Sequence, residues 1–248
     1  MTSLVLLTAL IFIAALLYSA VGHGGASGYL AAMALFGLAP EAMKPTALVL
    51  NLCVAGLGAY RYGRAGCFSW NTFWPFAVLS VPFAFLGGHS VLPPRLYRII
   101  LGLVLLFAAW RLAVRQSAHA PSALKPIVLP LALLFGAVIG LLSGLTGVGG
   151  GIFLSPLLLL FGWAEMRTTA GVSAAFIWVN SAAGLLGQML RGEGIKSLPH
   201  ELVWWAPAAV VGGLIGAELG SRRLTPLVMR RLLAAVLVVA GVKMLFAR

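Results

Sequence analysis

Long apolar runs separated by short polar or glycine-rich segments dominate the chain. Most of these runs, counted with their flanks, reach the roughly 17–25 residues that an α-helix needs to cross a bilayer. In chain order they are Leu4–Val21, Ala26–Leu38, Pro45–Tyr60, Trp70–Gly87, Leu96–Leu112, Ile127–Leu145, Ile152–Trp163, Thr169–Leu190, Leu202–Leu219 and Leu232–Phe246. They lack the alternation of barrel strands, so they predict an all-α polytopic membrane bundle with about eight membrane helices.

Two of the runs, Ala26–Leu38 and Ile152–Trp163, are too short to cross a bilayer alone. At 1.5 Å per residue, each would form a helix only about 20 Å long. Each follows a glycine cluster that interrupts an apolar stretch, and consecutive glycines cost helix stability. The sequence therefore predicts a discontinuous helix at each cluster, with a half-helix after the break.

The pattern of runs occurs twice along the chain. Gly22-His23-Gly24-Gly25 lines up with Gly147-Val148-Gly149-Gly150, and segment 88–98 lines up with 220–230 through Gly-x-x-x-Leu-x-Pro-x-x-x-Arg. These matches predict a first transmembrane repeat over residues 1–118, a polar linker over 119–125 and a second repeat over 126–248. Internal duplication is common among secondary transporters.

The relative orientation of the two repeats follows from how the short runs are used. If each short run crosses as part of a broken pair, each half has five segments and the halves are inverted. If the short runs are re-entrant, each half crosses four times and the halves are parallel. The inverted arrangement places ten of the 17 Lys and Arg residues on one side, against nine in the parallel one, so charge bias favours inversion.

Composition excludes most other classes of protein. Hydrophobic residues make up 61% of the 248 positions and charged residues 9%, whereas soluble domains carry roughly 25% charged residues. The net charge of +12 comes from basic residues at the ends of apolar runs, which suits membrane orientation rather than nucleic-acid binding. Cys53 and Cys67 give neither a disulfide framework nor metal spacing, and no cofactor or metal is expected.

The two glycine clusters are the candidate substrate site. A broken helix frees backbone N–H groups at the positive end of the next half-helix, and such ends hold anions in transporters. The predicted substrate-binding residues come from the clusters, their Ser and Thr flanks and two intramembrane amides: Ser19, Gly22, His23, Gly24, Gly25, Ser27, Asn51, Thr146, Gly147, Gly149, Gly150 and Asn180. Thr46, Ser173 and Gln188 are weaker members of the same lining.

Structural alternatives stand beside this assignment. Glycines in membrane helices also serve close packing, and a buried asparagine also serves a helix–helix hydrogen bond. His23 has no counterpart, since Val148 occupies the equivalent place; it is either an anion donor and proton carrier or a local cap. The chain has only five carboxylates, which argues against a metal-cation substrate, and we interpret Glu218 as an i,i+4 partner of Arg222.

An enzymatic alternative rests on Gly25-Ala26-Ser27-Gly28, which is similar to the serine turn of rhomboid-type intramembrane proteases. Such a serine needs a histidine base within hydrogen-bond reach. The histidines other than His23 lie near run ends or in the linker, and Ile152 stands at the position matching Ser27. We therefore do not expect an enzyme.

The duplicated glycine clusters, each followed by a short apolar run ending in Phe-Gly, a charged junction and an Ala/Ser/Asn-rich helix, resemble the sulfite exporter TauE/SafE membrane permeases. The resemblance covers nearly the whole chain. It implies a multi-pass protein of the bacterial inner membrane that moves sulfur-containing anions, such as sulfite or organosulfonates, often outward. The expected partners are a small anionic substrate, the lipid bilayer and, optionally, a second copy in a homodimer, with no nucleic acid. An anion channel and a non-transporting membrane scaffold or assembly factor are the alternatives.

Overall fold

The computed structural model describes residues 2–113, 124–192 and 195–222, together with residues 238, 241, 242, 245 and 246. Every regular element in these ranges is helical. The elements are α1 (Thr2–Ser19), α2 (Ala26–Leu35), α3 (Pro40–Arg64), α4 (Trp70–His89), α5 (Pro94–Ala113), α6 (Leu129–Thr146), α7 (Gly151–Leu160), α8 (Met166–Leu190), a 3-10 turn (Ile195–Ser197) and α9 (Leu202–Arg222). The last predicted run, the linker and the second copy of the Gly-Leu-Pro-Arg motif lie mostly or wholly outside the described residues.

The helices begin and end close to where the apolar runs predict them. Among the described residues, four helices are long and apolar enough to cross a membrane: α3, α6, α8 and the Leu202–Leu219 part of α9. The two short runs form α2 and α7, of 10 residues each, directly after Gly25 and Gly150. The predicted discontinuities are therefore present at both glycine clusters, while the count of eight membrane helices remains a prediction.

Helix lengths recur in the same order in both parts of the chain. The lengths of α1 to α4 are 18, 10, 25 and 20 residues, and those of α6 to α9 are 18, 10, 25 and 21. A duplicated chain would give this recurrence, although the duplication itself remains a prediction.

Each short helix folds back along the helix that precedes it. In α2, the Ser27 hydroxyl donates to the Tyr18 hydroxyl of α1 at 2.8 Å. At the far end of α7, the Lys125 amide just before α6 donates to the Gly162 carbonyl at 2.9 Å. The short helices are thus the return arms of two helical hairpins, and the glycine clusters form the tips.

Glycine ridges hold the first helix of each hairpin against a helix from the other part of the chain. At these positions the helices approach so closely that a Cβ atom would meet a facing carbonyl oxygen at 2.5 Å or less, which real side chains do not tolerate. The facing pairs are Gly136 with Phe76, Gly140 with Ser80 and Gly144 with Ala84 between α6 and α4, and Gly212 with Phe12 and Gly216 with Leu16 between α9 and α1. Since residue numbers rise together in both sets, each packed pair runs parallel.

The two 25-residue helices, α3 and α8, cross at the centre in the opposite sense. Numbers rise along one helix as they fall along the other: Leu48 lies beside Gly184, Asn51 beside Ser181, Gly58 beside Ala174, and Tyr62 beside Gly171. This register makes α3 and α8 antiparallel.

The remaining contacts complete the directions of the long helices. Val54 and Arg61 of α3 meet Gly213 and Glu218 of α9, so these helices are parallel. Ser80 and Phe85 of α4 lie beside Asn180 and Gly187 of α8, so these two helices are also parallel. Helices α1, α3 and α9 therefore point one way, and α4, α6 and α8 point the other way. Re-entrant short runs were expected to go with parallel halves, but the structure has fold-back hairpins, and α1, α3 and α4 run opposite to α6, α8 and α9 respectively. A hairpin that returns to the side of the membrane from which it entered adds no net crossing. The number of crossings in each half therefore changes from even to odd.

Candidate functional site

The tips of the two hairpins are built by glycines that no other residue could replace without strain. Gly25 and Gly150 cap α2 and α7 with φ of +102° and +84°, and Gly22, Gly147 and Gly149 also have positive φ. L side chains rarely adopt this left-handed conformation. Neither cap provides a side-chain hydrogen bond to its helix. In the first turn of α7 the Phe153 amide donates to the Gly150 carbonyl at 3.0 Å, whereas the first amides of a helix in general lack an acceptor four residues earlier.

The two tips meet at the same pair of side chains. A Cβ built at Gly24 would lie 2.6 Å from Asn51 Oδ1, and one at Gly149 would lie 2.7 Å from Asn51 Nδ2. The same two Cβ positions lie 3.1 and 2.7 Å from Ile177 Cγ2. Asn51 and Ile177 are each the twelfth residue of a 25-residue helix, so the tips converge at the middle of α3 and α8.

The Asn51 amide is buried but incompletely hydrogen-bonded. Its Nδ2 donates over 3.4 Å to the Val148 carbonyl and over 3.3 Å to Ser181 Oγ, both longer than the usual N–H···O distance. Its Oδ1 is buried and has no partner among the described residues. Because a half-turn of the amide exchanges its oxygen and nitrogen, Asn51 can present a donor toward either tip.

His23 joins the first tip to the opposite hairpin. Its Nδ1 lies 3.1 Å from the Val21 carbonyl, which only accepts, so this nitrogen carries a proton. In the neutral ring, Nε2 then accepts from Ser155 Oγ at 3.1 Å, and Ser155 accepts from Ser173 Oγ at 2.7 Å. Protonation of Nε2 would reverse the bond to Ser155, because the ring would then donate to Ser155 Oγ, so the charge state of His23 changes the hydrogen bonding of α7.

Other predicted site residues have local partners. The Thr146 hydroxyl donates to the Leu142 carbonyl at 2.7 Å, as serine and threonine often do within helices. The Asn180 Oδ1 accepts from Ser80 Oγ at 2.7 Å, which ties α8 to α4. The Ser19 hydroxyl is buried without a partner among the described residues. The Thr146 hydroxyl also accepts from the Val148 amide of the second tip at 3.4 Å. The structure thus gathers Gly24, Gly149 and Asn51, while the Asn180 side chain bonds to α4.

The hydroxyl of Ser27 donates to Tyr18 OH rather than to a histidine. Its described contact is not the serine–histidine pair that a serine protease requires.

Sequence reasoning missed three tyrosines that hold the tips in place. Each hydroxyl donates to a backbone carbonyl in a glycine cluster or at the helix end just before it. The Tyr29 hydroxyl donates to Gly24 at 2.7 Å, that of Tyr97 to Thr146 at 3.3 Å, and that of Tyr62 to Ser19 at 3.4 Å. A phenol inside an apolar run was the available signal, since a buried hydroxyl needs a partner. Ser155 was also missed, because the matching residue of the first half is Leu30 and no pairing drew attention to it.

At one end of the bundle, Arg61 of α3 forms an ion pair with Glu218 of α9. Both side chains are about two-fifths exposed, so we assign the pair little stability. The predicted partner Arg222 has no described side chain, so the pairing with it stays a prediction.

The apolar helices and the hairpins with glycine tips define a helical membrane protein. The family described as Sulfite exporter TauE/SafE matches residues 7–244. The chain belongs to this family, as the resemblance of its duplicated glycine clusters predicted, and this places it among membrane transporters.

Relatives of similar length support the same assignment. The chain is 44% identical over 238 residues to a probable membrane transporter protein, y4hK, of Sinorhizobium fredii, covering 95% of each chain. It is 26% identical over 257 residues to a probable membrane transporter protein of Methanocaldococcus jannaschii, covering 94% of this chain and 92% of the relative. It also matches the probable membrane transporter protein MamO of Magnetospirillum gryphiswaldense at 24% identity, covering 90% of this chain but 41% of that protein. No solved structure matches the chain.

Proposed function

We propose that this protein is a secondary transporter that exports small sulfur-containing anions, such as sulfite or organosulfonates, across the bacterial inner membrane. The substrate class follows the name of the family to which the chain belongs. The observation that carries the proposal is the meeting of two half-helix N-termini at Asn51.

The electrostatics of the tips favour an anion. Each helix N-terminus carries roughly half an elementary positive charge, and its first amides lack an acceptor four residues earlier. Two such ends facing one buried amide would give an anion backbone donors from both hairpins without a basic side chain. The predicted substrate-binding residues follow this arrangement, with Gly24, Gly149 and Asn51 at the centre and His23 beside them.

Alternating access between two inverted repeats is the proposed mechanism. It is supported by the recurring helix lengths and by the antiparallel register of α3 and α8, which would relate the two halves by an axis in the membrane plane. Each hairpin packs through glycines on a helix of the other half, so the outer pairs α1–α9 and α4–α6 can move as units around the tips.

Coupling to protons is assigned to His23. A proton on Nε2 would reverse the hydrogen bond to Ser155 of α7, and it would add positive charge beside the anion. Proton release would restore the original direction and weaken anion binding. One titratable group thereby links anion occupancy to the contact between the two hairpins.

Flux measurements on purified protein in proteoliposomes test the proposal. Radiolabelled sulfite, sulfoacetate and sulfate are offered with and without a pH gradient, and empty liposomes control for leakage. We expect saturable flux of one sulfur anion that unlabelled anion on the opposite side accelerates. Non-saturable flux without exchange would make the protein an anion channel. The absence of flux of any of the three, from folded protein, would contradict the proposed substrate class.

A further inference from the structure

The antiparallel α3–α8 pair places polar side chains in successive layers leading away from the hairpin tips. One turn beyond the Asn51 layer, a Cβ at Gly184 would lie 3.5 Å from Leu48 Cδ1. Continuing this register by one more turn brings Lys44 opposite Gln188. That layer is seven residues from Asn51 along α3, or about 10 Å.

Gln188 offers an unused donor inside the protein. Its side chain is 3% exposed, and its Nε2 has no hydrogen-bond partner among the described residues. A buried polar group without a partner is destabilising, so native proteins seldom keep one without a reason. An amide N–H in this position requires an acceptor, and an oxyanion supplies one.

Lys44 supplies the charge of the same layer. It is 8% exposed, and its Nζ donates to the Gly87 and Gly88 carbonyls at 3.1 and 3.3 Å, in the last turn of α4. The C-terminal end of a helix is its negative end, which would repel an anion. The ammonium group offsets that negative potential, so an anion beside Gln188 meets a favourable field. Ionisable residues inside membrane helices are costly and mark substrate pathways.

At the opposite end of the α3–α8 pair, the equivalent layer contains no buried charged side chain among the described residues. The corresponding positions hold Tyr62 and Ala170, and the Tyr62 hydroxyl donates to the Ser19 carbonyl. The Thr169 and Ser19 hydroxyls are buried without a partner at that end, but among the described residues Lys44 is the only buried charged side chain.

We propose that Lys44 and Gln188 form a second subsite for small oxyanions, on the route between the hairpin tips and the C-terminal end of α8. This inference rests on the proposed function, because it describes the path to the site at Asn51. The subsite holds the anion by the Gln188 amide and by the field of the Lys44 ammonium group, about 10 Å from the tips. It makes the route asymmetric, with a charged entrance on the Gln188 side.

The variant Gln188→Glu tests the subsite with an almost isosteric change. At pH 8 the new carboxylate repels an anion and removes the donor, while its charge complements Lys44. We expect sulfite flux in proteoliposomes to fall at least about tenfold, the scale of one lost hydrogen bond to a charged group. We also expect the sulfite-induced rise in melting temperature of the purified protein to disappear. The matched control is Leu190→Glu, which adds the same charge two residues away on a side chain that is 67% exposed, and it should stay within about twofold of wild type.

The outcomes separate this inference from the proposed function. If Gln188→Glu melts higher than wild type through its pairing with Lys44 and transports sulfite normally, the subsite is wrong and the transporter remains. If wild type shows no sulfite flux, the proposed function fails for sulfite, and the sulfite-induced rise in melting temperature decides on the subsite. A rise that is present in wild type and lost in Gln188→Glu supports the subsite. If wild type shows no rise, the subsite is overturned. Should Gln188→Glu not fold, Gln188→Leu replaces it, because it removes the unpaired amide without adding charge. Unchanged flux and an unchanged sulfite shift in Gln188→Leu would overturn the subsite equally.

Discussion

Replacement of Gly24 by alanine perturbs the meeting point of the tips by a single methyl group. Gly24 does not have a left-handed backbone, so alanine meets no backbone strain there. The added Cβ would lie 2.6 Å from Asn51 Oδ1, 3.1 Å from Ile177 Cγ2 and 3.2 Å from Ala55 Cβ. Ordinary contacts are about 3.5–4 Å, so the Asn51 amide or the tip must move by about 1 Å.

The size of the effect follows from the cost of overpacking. Extra methyl groups in a packed interior typically cost about 1–3 kcal/mol. If this cost falls on the substrate-bound arrangement, kcat/KM for anion flux drops by about 5- to 150-fold, since 1.4 kcal/mol corresponds to tenfold. We expect a loss in this range in proteoliposomes, with the melting temperature in detergent lowered by only a few degrees.

The control for Gly24→Ala is Gly63→Ala. Gly63 lies near the end of α3, and a Cβ there has no atom within 4 Å. Alanine within a helix is more favourable than glycine by roughly 0.5–1 kcal/mol, so this variant should be slightly stabilised and transport normally. Wild-type kcat/KM in Gly24→Ala would refute the placement of the substrate between the tips and Asn51.

Three further predictions concern neighbouring positions. Asn51→Leu should weaken anion affinity by about tenfold, whereas Asn180→Leu should mainly lower the melting temperature because it breaks a bond to α4; equal effects of the two on KM would contradict this distinction. His23→Gln should abolish the change in flux between pH 5.5 and 8, and Ser155→Ala should reduce this change partly. If His23→Gln keeps the pH dependence of wild type, His23 has no role in coupling. Gly140→Val should prevent folding or lower the melting temperature strongly, since its Cβ would lie 2.2 Å from a carbonyl oxygen of α4, and a normal melting curve would show that the two helices can separate there.

The positions of the helices and of their interruptions could be predicted from the sequence because their causes are local. Apolar runs of bilayer length form helices wherever backbone groups have no water to bind, and consecutive glycines break a helix regardless of its surroundings. The predicted short helices after Gly25 and Gly150 are present for this reason. Membership of the family was equally accessible, since it depends on the order and spacing of these same motifs.

The partners of each polar side chain could not be read from the sequence, because they depend on packing between distant helices. Asn51 and Asn180 looked equivalent as intramembrane amides, yet the first meets both tips and the second meets Ser80. The proposed placement of Lys44 opposite Gln188 likewise follows only from the antiparallel register of α3 and α8.

Local chemistry thus determined where the chain is helical and where it breaks, and tertiary structure decided what the breaks face. Any helix that starts anew after a break has first-turn amides without an acceptor four residues earlier, whatever its surroundings. Only the crossing of α3 and α8, which pack against each other at small residues such as Gly58 and Ala174, brings the two tips to one amide. The physical reason is that hydropathy and glycine content act over a few residues, whereas the register of two packed helices is fixed by steric fit along their whole length.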